Sequence, residues 1–388
     1  MTPPNASPSG ERNRGIDILR GFAIVLVILN HVGIRIPLAK SDLASILPAR
    51  FLHDLNYNGY EAVCIFFVIS GFLITSRAQQ LWGGLRAISL REFYVRRASR
   101  ILPSLLALVA VLSVLHLAGI ANYTIDKPTQ SLPGAAGSAL GLYLNWYEGV
   151  TGYLPGNWDV LWSLSIEELF YLAFPLLCLA CGGTRWFVAI LAAFVVAMPF
   201  AHAAAQGNDI WQEKAYLPGM GAIAVGVLAA LLVRHVPAPS QRTARVLRIG
   251  GIVGIAAILF AGRWIWQLLL DGYLLVLTLA AASLVVGLHW RSAQDAKFKL
   301  PGLGWLRSCG RLSYEIYLTH MFCVYAIVDI ARASGTDKSS GWLWYPVAIG
   351  ASWLLGWIVA RGFSQPVERW LRDGAARRAR ATAAAASV

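Results

Sequence analysis

Arg20 and His31 stand in the same apolar run, residues 16–36, which is long enough to cross a bilayer as a helix. Ionisable side chains at membrane depth are costly and are rarely kept without a task. Their separation along the chain corresponds to roughly 16 Å of helix, so one lies near one membrane face and the other well across. A histidine in that position can take a proton from an attacking hydroxyl, or can itself be acylated. Arg20 has two readings, a functional cation or a structural one that pairs or snorkels near the helix end. His31 has no partner within its own helix.

Four other segments carry polar groups into apolar surroundings. The stretch Trp162-Ser-Leu-Ser-Ile-Glu-Glu-Leu-Phe-Tyr171 holds Glu167 and Glu168 one turn into a span, at the depth range of His31. Such a carboxylate can orient a histidine ring and raise its basicity, or it can pair with an arginine or cap a neighbouring helix. Arg97 and Arg100, three apart, share a helix face at the basic membrane surface. Two guanidinium groups there can clamp phosphates; contact with anionic lipid headgroups is the plainer role. Ser70-Gly71 in the second span allows either close helix packing or a local opening around a ligand. In the ninth span Tyr314, Tyr317 and His320 recur at helical spacing as a polar-aromatic stripe. His320 has a structural alternative, a bond to a nearby hydroxyl.

These side chains must be positioned by membrane helices. Hydrophobic residues make up 57% of the 388 and charged residues only 14%, against about 25% charged in a soluble domain. Ten runs are long enough to span: 16–36, 59–77, 101–120, 161–181, 186–204, 216–233, 247–263, 273–290, 310–331 and 343–362. The reading is an all-α polytopic membrane protein with both termini cytoplasmic. Ala136–Trp146 is apolar but too short to cross, and is expected to be interfacial or re-entrant. On this topology 25 of the 33 Lys and Arg residues fall in cytoplasmic segments, as the positive-inside rule requires. The net charge of +13 therefore reads as membrane orientation, not as nucleic-acid binding.

The expected organisation is a polar N-terminus over 1–15, a membrane domain over 16–370 and an Arg/Ala-rich tail over 371–388. No cleavable leader is apparent, because residues 1–15 are polar and no small-residue cleavage site follows the first run. Cys178 and Cys181 have a C-x-x-C spacing but no second pair and no histidine to complete a zinc site, so no metal is expected. Gly-rich nucleotide loops, EF-hands and H-E-x-x-H are also absent from the sequence.

In this order, the motifs resemble the acyltransferase 3 family of integral-membrane acyltransferases. The resemblance rests on Arg20-x10-His31, Ser70-Gly-Phe-Leu73, Arg97-x-x-Arg100 followed by proline, the Trp162–Tyr171 segment, and Ser313-Tyr-Glu-Ile-Tyr-Leu-Thr-His320. It implies transfer of an acyl group, usually acetyl, from cytoplasmic coenzyme A thioester to a hydroxyl of a carbohydrate or glycosylated acceptor. His31 would be the catalytic histidine with Arg20, and Arg97 and Arg100 would lie on the donor side. Glu167 or Glu168 is expected to orient His31 or the acceptor, with Ser70 and Gly71 beside the donor. Tyr314, His320 and Trp162 are candidates for acceptor or oxyanion contacts. Acetyl-CoA is a substrate here, and no permanently bound cofactor is expected. The expected location is the bacterial cytoplasmic membrane. A rival class is a transporter of sugars or lipid-linked intermediates with an intramembrane His/Glu/Arg path, but no internal repeat relates the two halves.

Overall fold

The computed structural model describes residues 12–294, 302–335 and 337–385, and is all-helical over them. Most of the expected polar N-terminus (1–11) and the end of the tail (386–388) lie outside the described residues. Among the described residues ten helices are long and apolar enough to span a membrane. We number them α1 Arg14–Gly33, α2 Gly59–Trp82, α3 Leu90–Leu117, α4 Trp162–Cys181, α5 Arg185–Ala204, α6 Tyr216–His235, α7 Gln241–Phe260, α8 Tyr273–Gln294, α9 Ser313–Ala333 and α10 Trp344–Val359. One end carries Arg77, Arg86, Arg91 and Arg96 and is called the basic end below.

The helix starts follow from local chemistry. The Asn13 side chain accepts from the Gly15 and Ile16 amides at 3.0 and 3.1 Å, capping α1. Ser89 caps α3 through the Glu92 amide, so this helix begins at Leu90, well before the apolar run at 101. Arg97 and Arg100 therefore lie roughly 10 and 15 Å along a continuous helix from its start. The run over 310–331 is broken at Leu312: Gly304–Arg311 is a separate short helix and α9 begins at Ser313. Beyond α10 a π-turn, Ala360–Ser364, leads into the helix Gln365–Ala385. Ser364 Oγ meets Ser104 Oγ at 3.0 Å, tying this turn to α3. The Ala136–Trp146 region forms two short helices, Leu132–Leu140 and Leu144–Thr151, neither of which crosses.

Packing brings the polar helices together. α1 lies against α2, α9 and the short helix Gly304–Arg311, while α2 packs on α6 and α9 on α10. The α2–α6 crossing is backbone to backbone. A methyl group at Gly71 would strike the Ile223 carbonyl, and one at Gly226 would strike the Val68 carbonyl. Small residues allow this approach in a membrane, where dispersion between closely fitted helices replaces the hydrophobic drive.

Candidate functional site

α1, α2, α3, α4 and α9 together enclose a cavity of about 150 Å³. Its polar lining includes Arg20 from α1, Ser70 from α2, Arg97 and Arg100 from α3, Glu167 and Glu168 from α4, and Tyr314 and Tyr317 from α9. Eight of the residues singled out in the sequence thus line one cavity, though they come from five helices.

The contacts inside it are specific. The Arg20 guanidinium donates two bonds to Ser313 Oγ, at 2.8 and 3.2 Å, which fixes its direction across the α1–α9 seam. Glu167 Oε1 accepts from the Ser70 hydroxyl and from Tyr171 Oη, the latter at 2.5 Å, and the Ser70 and Tyr171 hydroxyls also touch. The Arg97 guanidinium lies over the Tyr171 ring, 4.2 Å from its centroid. The Tyr171 ring therefore braces the arginine, and Glu167 and Ser70 in turn hold the Tyr171 hydroxyl. Tyr314 Oη donates to the Ile101 carbonyl at 3.1 Å, tying α9 to α3 beside Arg100.

A second cavity of about 200 Å³ adjoins the first and shares Arg97 and Arg100 with it. It opens toward the basic end and adds Arg77, Arg96 and Arg372, with Glu368, Trp82 and Phe93. The two cavities together hold six arginines, a surplus of positive charge suited to an anion bearing several phosphates.

His31 lies elsewhere. It is near the far end of α1, half-buried, with its ring centroid 5.1 Å from that of His320. Among the described residues neither glutamate is hydrogen-bonded to it, and Glu167 is committed to Ser70 and Tyr171. Of the two expected roles, orienting His31 or orienting the acceptor, the first finds no contact among the described residues, because α4 turns these carboxylates into the cavity toward α2 and α3. The link between cavity and histidines is Tyr317. It lines the cavity, its hydroxyl bonds Ser163 Oγ at 2.7 Å and the Val160 carbonyl at 2.8 Å, and its ring is 5.9 Å from His320.

Two other residues singled out in the sequence lie away from the cavity. Gly71 does not line the cavity; it serves the α2–α6 crossing described above. Trp162 also lies outside the lining and packs edge-on against Phe67, with centroids 6.2 Å apart and planes at 87°. Cys178 is buried and Cys181 partly so, both as free thiols.

The sequence reading missed a buried ion cluster at the end opposite the basic one. Lys214 Nζ contacts Glu148 Oε2 at 2.8 Å and also Asp159, and sits 4.3 Å from the centre of the Tyr153 ring. Lys214 is only 1% exposed and Glu148 is fully buried. Burial and the adjacent Asp159 push the Glu148 carboxyl upward, and Lys214 opposes them. Next to this cluster, Arg35 donates to the His31 carbonyl at 2.9 Å and to Tyr325 Oη at 3.1 Å, and lies over the Tyr325 ring. Tyr325 Oη in turn accepts from the Gly156 amide at 3.0 Å, so the turn before α4 is held down beside His31.

The family described as an acyltransferase domain matches residues 13–361. The chain is 25% identical over 341 residues to the peptidoglycan O-acetyltransferase OatA of Listeria monocytogenes, covering 79% of this chain and 48% of that protein. It is 32% identical over 173 residues to the O-acetyltransferase OatA of Staphylococcus aureus, covering 42% and 24%. It is 28% identical over 383 residues to nodulation protein 10 of Rhizobium leguminosarum bv. viciae, covering 92% and 95%. The chain thus spans about half the length of the Listeria relative, and less of the Staphylococcus one. No solved structure gives a significant match.

Proposed function

Because the chain belongs to the acyltransferase 3 family, whose domain covers residues 13–361, we propose that it is a membrane O-acyltransferase. The reaction moves an acetyl group from cytoplasmic acetyl-CoA to a hydroxyl of a carbohydrate acceptor. The observation that carries this reading is the pair of arginine-lined cavities running inward from the basic end. The basic end is cytoplasmic by the positive-inside rule, so these cavities open where acyl-CoA is found. The Listeria relative is named a peptidoglycan O-acetyltransferase, which supports a polysaccharide or related glycan as acceptor. The membrane is then the bacterial cytoplasmic one.

The residues divide the work as follows. Arg97, stacked on the Tyr171 ring, and Arg100 hold donor phosphates, and Arg20, aimed by Ser313, holds the donor further in. The phosphopantetheine arm is long and thin, and it carries the thioester past Tyr317 toward His31. There the acceptor hydroxyl gives its proton to His31 as its oxygen attacks the thioester carbonyl. The C–O bond forms, the C–S bond breaks, and the proton passes from His31 to the departing thiolate, giving free coenzyme A thiol. Glu167 acts on the donor side in this scheme, not on the histidine.

Sealed vesicles test this directly. Inverted vesicles, with the basic end outward, should move label from added radiolabelled acetyl-CoA onto lipid-linked or polymeric sugar. Right-side-out vesicles should do so only after permeabilisation. Equal transfer by sealed vesicles of both orientations would remove the cytoplasmic donor, and no transfer by opened membranes that contain glycan acceptors would remove the enzyme reading.

A further inference from the structure

His320 Nδ1 lies 2.8 Å from the Tyr317 carbonyl and 3.1 Å from the Ile316 carbonyl, both on its own helix. Carbonyl oxygens only accept, so Nδ1 carries the proton and the neutral ring has its lone pair on Nε2. This Nε2 is fully buried and has no hydrogen-bond partner among the described residues. It is the ring edge directed away from α9, and the His31 ring of α1 is the ring beside it, at 5.1 Å between centroids. The bond between the two rings is not formed in the structure, but at this separation a turn of the His31 ring can bring its N–H onto Nε2. Arg35, one turn beyond His31, is committed to the His31 carbonyl and to Tyr325. Among the described residues no hydrogen bond reaches a ring nitrogen of His31, so the place of an orienting partner is open.

We propose that His320 is the positioning residue for His31, accepting one His31 ring N–H at its Nε2 so that the other His31 nitrogen faces the acceptor hydroxyl. The proposal rests on the acyl-transfer reading and assigns the role that a carboxylate takes in other histidine-dependent sites. When His31 takes the acceptor's proton it becomes an imidazolium with two N–H groups. One remains on His320 Nε2, and the other passes its proton to the thiolate. His320 keeps its Nδ1 proton throughout, so the pair neither gains nor loses charge beyond the single transferred proton. A lone pair at Nε2 also removes His320 from the oxyanion donors, since it has no proton to offer there.

The test compares His320→Leu with His320→Gln in the intact, detergent-purified protein, with label transfer measured against acetyl-CoA concentration. Gln places an amide oxygen near the position of Nε2 and can still accept; Leu keeps bulk and loses the acceptor. His320→Leu should lower kcat about 100-fold, the lower range for lost acid–base assistance, while donor KM stays within about threefold. His320→Gln should recover at least about tenfold of that loss. His31→Ala combined with His320→Leu should be no slower than His31→Ala alone, because His320 acts through His31. Equal activity of His320→Leu and wild type would overturn the proposal. So would a Gln variant as slow as Leu with both eluting as folded, monodisperse protein, or a double variant slower than His31→Ala. A wild-type chain without transfer would instead remove the acyltransferase reading beneath it.

Discussion

Replacing Lys214 with Met should unfold the chain more readily than any single change in the arginine cavities. Lys214 and Glu148 are 1% and 0% exposed, and Lys214 also neutralises Asp159. Loss of the ammonium leaves one fully buried carboxylate, and a second at 17% side-chain exposure, without their cation. Breaking a buried pair in this way costs about 3–5 kcal/mol, and the lost contact with the Tyr153 ring adds about 1 kcal/mol. For a chain of this length each kcal/mol corresponds to a shift of about 1–2 °C, so the midpoint for loss of the monodisperse peak on heating should fall by about 4–12 °C. Adding Glu148→Gln to Lys214→Met removes the costlier of the stranded charges and keeps an acceptor for the Leu154 amide, now bonded at 2.9 Å. The double variant should therefore be more stable than Lys214→Met alone, a non-additive result. Size-exclusion profiles after graded heating read both effects. A Lys214→Met midpoint within 1 °C of wild type, by order of magnitude, or a double variant with fully additive losses, would refute the reasoning.

Gly71→Leu should strand the chain in a misassembled or degraded state, because the side chain would have to displace the Ile223 carbonyl of α6. Gly71→Ala should be milder, with a loss of about 1–3 kcal/mol seen as a lower heating midpoint and little change in donor KM. Arg97→Lys and Arg100→Lys keep the charge but lose the planar fork, so donor KM measured by label transfer should rise about tenfold or more; unchanged KM would remove both from phosphate binding. Tyr171→Phe removes a hydroxyl bonded to Glu167 but keeps the ring under Arg97, so it should raise donor KM only a few-fold, consistent with about 1 kcal/mol for one hydrogen bond.

The ten spans were readable because hydrophobic length and basic loops are properties of the chain taken one segment at a time. The same holds for Arg20, Ser70, Arg97, Arg100, Glu167, Glu168 and Tyr314, whose cost in an apolar run marks them before any neighbour is known. What sequence left open is which helix faces which. Glu167 and His31 were read as neighbours because they share a depth, yet α4 presents Glu167 to Ser70 on α2, and the ring beside His31 comes from α9. Gly71 had two readings until its contact with the Ile223 carbonyl separated them. Lys214 lies 66 and 55 residues from its two carboxylates and in no common periodic pattern, so only the folded loops could join them. The early start of α3, at the Ser89 cap, places Arg97 and Arg100 inside a continuous helix whose apolar run alone would have begun after them.

The central claim is that His31 takes the proton from a carbohydrate hydroxyl during transfer from acetyl-CoA. Radiolabelled acetyl-CoA should be added to opened membranes carrying either the wild-type chain or His31→Ala at matched protein levels, with label counted on sugar. Label in the sugar fraction that falls by at least about 100-fold in His31→Ala is the predicted result. Equal labelling of sugar by both chains would contradict it.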